Sequence, residues 1–109
     1  MLDNLDDRAL DDLPFGVVAL DEGGTVVRFN RTEQERSGIQ RWRALGRSFF
    51  KDVAPGEKNH ELAEHIGAFL AGREAGTIHH TFERRTGADS TEIQLERGDH
   101  RVYLKICRG

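Results

Sequence analysis

The side chains able to do chemistry are few, and their spacing is poor for catalysis. His60 and His65 are five residues apart, so a helix places them off a common face, unlike the i, i+4 pair that chelates zinc. His79 and His80 are adjacent in a stretch of strand character and point to opposite sides of it. Cys107 is the sole cysteine, which excludes a disulfide framework or a cysteine zinc site within one chain. Ser48 and Ser90 lack a G-x-S-x-G setting, and Asp12 and Asp52 have no partner arrangement for acid–base work. These residues predict no enzyme and no metal site. Two side chains keep some interest. Glu33 has Ser37 one helical turn away. It is either a first-turn acid on an exposed helix or a carboxyl turned inward, able to hydrogen-bond a ligand oxygen. His80 shares an apolar face with Ile78 and Phe82, the usual setting of a hydrogen-bonded core histidine.

The elements that must position these residues are legible in order. Leu5, Ala9, Leu10 and Leu13 have helical spacing, and Pro14 ends the helix. Residues 1–14 are thus expected to form a cap helix and 15–109 the main domain. Phe15–Leu20 and Thr25–Asn30 are β-rich runs joined by Asp21-Glu22-Gly23-Gly24, a hairpin. Asn30 can cap a short helix over Arg31–Arg36, and Ser37-Gly38 stops it. Trp42, Leu45 and Gly46 suggest a further helical turn. Phe49-Phe50 is expected to be buried, with Pro55-Gly56 breaking the chain after it. Leu62, Ala63, Ile66, Phe69 and Leu70 fit one face of a main amphipathic helix over His60–Ala71. Three alternating runs follow, Thr77–Phe82, Thr91–Arg97 and Arg101–Cys107, with turns at Gly87-Ala88-Asp89 and Gly98-Asp99. The expected fold is α+β: a five-stranded antiparallel sheet with helices packed on one face and a short N-terminal cap helix.

The chain has 109 residues, one domain by length, and 16 basic against 19 acidic side chains give a net charge of −3. That balance argues against nucleic acid as the main partner. No apolar run approaches the ~18 residues of a membrane span. The start, Met1-Leu2-Asp3-Asn4, lacks the apolar core of a signal peptide, so a cytoplasmic setting with no membrane partner is expected. The charge is uneven. Asp3, Asp6, Asp7, Asp11 and Asp12 crowd the N-terminus, while Arg36, Arg41, Arg43, Arg47 and Lys51 form a basic middle. Either these are two solvated faces, or acid and base meet within the chain or between chains.

The element order resembles that of a PAS domain, and several segments narrow the likeness to the photoactive yellow protein family. They are Leu13-Pro14-Phe15-Gly16, Leu20-Asp21-Glu22-Gly23-Gly24, Phe29-Asn30-Arg31-Thr32-Glu33 and Phe49-Phe50-Lys51-Asp52-Val53-Ala54-Pro55. The resemblance runs from about Leu10 to Arg108, with the family's extended N-terminal cap shortened. In that family the residue after this proline is a cysteine carrying p-coumaric acid as a thioester. Here it is Gly56, which has no nucleophile, so the anchor is lost and no covalent p-coumaric acid is expected. The family holds the phenolate with a tyrosine and a glutamate, supported by a threonine. Those positions read Phe29, Glu33 and Ser37, and the family's arginine gate corresponds to Ile39.

The resemblance implies a non-enzymatic signalling module acting through protein–protein interaction or dimerisation. The alternative it leaves open is a non-covalent small-molecule, haem or light sensor. Some PAS domains bind haem through a histidine of the long helix, which makes His65 a candidate axial ligand. A ligand pocket would lie among Phe29, Glu33, Ser37, Phe50, Phe69 and His80. The outer sheet face, Thr77, His79, Glu92, Gln94, Arg101 and Tyr103, is the expected surface for another protein or a second copy.

Overall fold

A two-stranded hairpin, a long crossover and a three-stranded meander build the sheet of this computed structural model. The structure describes residues 1–54, 58–72, 76–84 and 87–108; at 58, 59, 81–84 and 87–90 it describes the backbone alone. A 3-10 turn at Leu2–Asn4 precedes α1 (Asp7–Asp11). Then come β1 (Gly16–Asp21), β2 (Val26–Phe29), α2 (Arg31–Ser37), α3 (Arg41–Ala44), a π-helical turn at Phe49–Val53 and α4 (Lys58–Leu70). The chain finishes in β3 (Thr77–Arg84), β4 (Gly87–Gly98) and β5 (Arg101–Arg108). The sheet is antiparallel with strand order β2-β1-β5-β4-β3. The expected fold class is the observed one.

Two expected boundaries are corrected. The N-terminal helix is shorter than Leu5–Leu13. Asp6 accepts a hydrogen bond from the Ala9 N–H and so starts α1 late, and Leu2–Asn4 forms a separate turn. Gly87-Ala88-Asp89 does not turn the chain. It pairs in the β3–β4 ladder, where Phe82 faces Asp89, Glu83 faces Ala88 and Arg84 faces Gly87. Backbone pairing there overrides the local preference of glycine and aspartate for turns.

Alternation along the strands divides the apolar residues between two faces. The inner face buries Val18, Leu20, Ile93, Leu95, Leu104 and Ile106 against Phe49, Leu62 and Ile66 from the π turn and α4. The outer face of β1 and β5 buries Val17, Ala19 and Tyr103 beneath Leu2 and Leu10 of the N-terminal segment. That segment therefore acts as a lid over half of the outer face. Among the described residues no helix is long and apolar enough to cross a membrane.

Gly56 and Pro55 lie outside the described residues, and so does the side chain of Phe82. Phe49 is buried and Phe50 half-buried, their rings edge to face at 5.0 Å and 89°. They anchor the start of the π turn on the core.

Candidate functional site

Asn30 sets the geometry of the site. It is fully buried, and all four of its side-chain bonds go to backbone. Oδ1 accepts from Val17 N at 2.9 Å and Glu33 N at 3.0 Å; Nδ2 donates to Leu10 O at 2.8 Å and Phe15 O at 3.1 Å. One side chain thus caps α2, ties it to β1 and holds the end of the N-terminal segment. Gly38, at φ 76°, closes α2 in the left-handed conformation that glycine adopts without a Cβ penalty.

With α2 fixed in this way, Glu33 is turned inward and only 4% exposed. The alternative of an exposed first-turn acid is removed. Its carboxylate does not stand alone. Arg108, at the end of β5, donates from Nη1 to Oε1 in a short contact and from Nη2 to Oε2 at 3.0 Å. This two-bond fork is the strong geometry for arginine and carboxylate. Gly16 lies directly beneath: a Cβ there would stand 2.2 Å from Oε1 of Glu33. Glycine is needed at this position because a carboxylate oxygen already fills the space.

The other expected pocket residues divide. Phe29 is buried in the inner core, with Ile39, Phe50 and Phe69 packed against the same cluster. The Ser37 hydroxyl accepts from Ile39 N at 3.1 Å, a local turn contact. His80 is half-buried, and its carbonyl accepts from the buried Thr91 hydroxyl at 2.8 Å. His65 is half-exposed on α4. Among the described residues no group of three or more His, Cys, Asp or Glu side chains is placed to hold a metal ion.

On the outer face Thr77, His79 and Gln94 are exposed, and Glu92 and Arg101 half-exposed. Tyr103 is corrected: it is completely buried and belongs to no surface. Its hydroxyl donates to Asp3 Oδ1 at 2.8 Å and accepts from Arg28 Nη1 at 2.9 Å, while the Arg28 guanidinium lies 5.8 Å from the ring centre. The alternation placed Tyr103 on the right face; the segment that covers it carried no sequence signal for where it would dock. Arg28 also donates to the carbonyls of Leu2 and Leu5 at 3.2 and 2.6 Å.

The acidic N-terminus meets basic side chains within the chain. Asp7 pairs with Arg28 at 3.1 Å, Asp12 with Arg31 at 3.3 Å and Asp11 with Arg41 at 2.6 Å. The Asp3 carboxyl is held below its ordinary value, chiefly by the Asp99 N–H and then by the Tyr103 hydroxyl. Sequence reasoning passed over Arg108, Gly16 and His100. His100 sits in the β4–β5 turn with Nδ1 2.8 Å from Glu22 Oε1, a contact that raises its pKa.

Against known proteins, residues 10–103 match the profile of the PAS fold. This chain belongs to the PAS fold family. Within it, the PAS domain is 36% identical to the photoactive yellow protein of Rhodothalassium salexigens over 80 residues, which cover 73% of this chain and 62% of that relative. It therefore spans less than two thirds of that relative's length. Its fold is also that of the photoactive yellow protein domain of the sensor histidine kinase Ppr from Rhodospirillum centenum. The TM-score is 0.81 at 24% identity, over 95% of this chain and 94% of that one. The PAS domain of the Cronobacter turicensis quorum-sensing receptor RpfR, solved in complex with BDSF, superposes with a TM-score of 0.75 at 15% identity. That match covers 89% of this chain and 95% of the other. The expectation of a PAS, photoactive yellow protein-like fold holds.

Proposed function

We propose that this PAS domain is a non-enzymatic cytoplasmic signalling module that works by recognition, through contact with another protein or a second copy, and carries no coumarate thioester. The observation that supports this best is the Glu33–Arg108 pair. In a coumarate site the glutamate must offer a hydrogen bond to a phenolate; here both carboxylate oxygens are engaged by a guanidinium from the same chain. Phe29 brings a buried ring without a hydroxyl, and the residue after Pro55 is glycine, which offers no thiol. These residues do not fit the chromophore. Signalling then runs by population shift: a partner that binds one arrangement of helices and sheet more tightly moves the equilibrium toward it.

The second reading is a non-covalent sensor. The half-buried Phe50 and Phe69 support it, since both pack against the inner core and can re-pack around an apolar ligand. Haem through His65 is the variant of this reading with least support. Preparing the chain with activated p-coumarate tests the proposal. A colourless protein is expected, and a visible absorption band on the unsubstituted chain overturns it. Gly56→Cys, prepared in parallel, shows whether the pocket itself still admits the acid.

A further inference from the structure

We infer that the cleft beside Trp42 is a docking site for an acidic segment of a partner protein, an inference that rests on the reading of this domain as a protein-recognition module. The cleft has a volume of about 500 Å³ and runs past α3, with Ile39, Trp42, Arg43, Arg47 and Val53 among its walls. Trp42 is 73% exposed. A tryptophan in water gives nothing to the fold, yet it is among the residues that contribute most when an interface covers them. The Arg43 guanidinium lies 5.6 Å from its ring centre, which presents an aromatic face and a cation side by side.

The charges select the partner. Arg28, Arg31 and Arg41 are each paired with an aspartate of the N-terminal segment. Arg43 and Arg47 are exposed and, among the described residues, in no ion pair. Among the described residues no acid of this chain pairs with either guanidinium, which leaves both open to an acidic partner. A second copy is the poorer source, because its Asp7, Asp11 and Asp12 are held by its own arginines in the same way. Among the described residues Asp52 is the one acid on the cleft wall, and its carboxylate accepts from Ser48 N at 3.2 Å. The apolar wall connects the cleft to the interior, since Ile39 and Val53 both pack against the inner core. An apolar side chain seated between acidic neighbours would therefore press on the same cluster that contains Phe29 and Phe49.

Trp42 is the sole tryptophan, so its emission reports on the cleft directly. The full chain is titrated with a short synthetic peptide in which Asp and Glu flank one Phe, and with a control in which Lys replaces the acids. A saturable change in emission with the acidic peptide alone is expected. Arg43→Glu with Arg47→Glu should weaken it about tenfold, the effect of losing two exposed charge contacts, while thermal unfolding stays unchanged because both side chains are exposed. Asp52→Asn should tighten it. An unresponsive emission, or a charge-reversed variant that binds as the wild type does, overturns the assignment. If binding fails here but self-association or partner binding persists and is lost on His79→Glu, the cleft is wrong and the recognition reading stands. A coloured coumarate-loaded protein that binds nothing overturns both.

Discussion

Replacing Arg108 with alanine removes half of a buried ion pair and leaves the other half in place. The Glu33 side chain is 5% exposed and that of Arg108 14%. Truncating one partner of such a pair costs about 3–5 kcal/mol, because the remaining charge is left desolvated without its counter-ion. The slight exposure of Arg108 lets water approach from the rim, which lowers the expectation to about 2–4 kcal/mol. For a domain whose whole stability is about 5–15 kcal/mol, that is a large share, and it corresponds to a fall in Tm on the order of 10 °C. Urea unfolding followed by circular dichroism measures it, with an unchanged m-value as the sign that the denatured state is the same. Glu33→Leu combined with Arg108→Met removes both charges and should return to within about 1 kcal/mol of the wild type. A loss below about 0.5 kcal/mol for Arg108→Ala, the scatter of ordinary surface substitutions, would refute the claim that Arg108 neutralises a buried carboxylate.

Asn30→Ala should cost about 3 kcal/mol, since it strips the Val17 and Glu33 N–H groups of their acceptor, removes a donor from the Leu10 and Phe15 carbonyls and takes away the cap of α2. Chemical denaturation gives the value, and faster proteolysis within residues 1–13 should accompany it. Gly16→Ala places a methyl 2.2 Å from Glu33 Oε1 and should cost about 2 kcal/mol by overpacking; adding Glu33→Ala should make the two losses strongly non-additive. Acid should loosen the N-terminal segment before the rest. Asp3 has its carboxyl pKa lowered in the folded state, so its contribution is present above the unfolded value of 3.8 and is lost as pH falls through the folded one. Amide exchange at Leu2–Leu5 should rise below pH 3.8, and Asp3→Asn should flatten that dependence.

Local signals carried most of the fold. Asn30 and Gly38 mark both ends of α2, and Leu62, Ile66 and Phe69 display the face of α4 that packs inward. The strands declared themselves by alternation, including the outward parity of Tyr103. Long-range contacts stayed hidden. Nothing near Tyr103 says that Leu2 and Leu10 will cover it, because the docking of a short helix depends on where Arg28 can reach the Leu2 and Leu5 carbonyls. The Gly87–Asp89 turn failed for a related reason: ladder bonds with residues 82–84 outweighed the preference of three residues.

The candidate site shows the same division most sharply. Glu33 was visible in sequence, but its meaning depends on Gly16 in β1 and on Arg108, 75 residues further along the chain. What brings them together is strand register. Gly16 faces Ile106 across the β1–β5 pair, so Arg108, two residues on and on the same inner face, extends past the end of β1 to the point where α2 delivers Glu33. A one-residue slip would turn Arg108 outward and leave the carboxylate buried alone. The register thus lets an arginine of the last strand satisfy the carboxylate from within the chain, which is the arrangement on which the proposed recognition role rests.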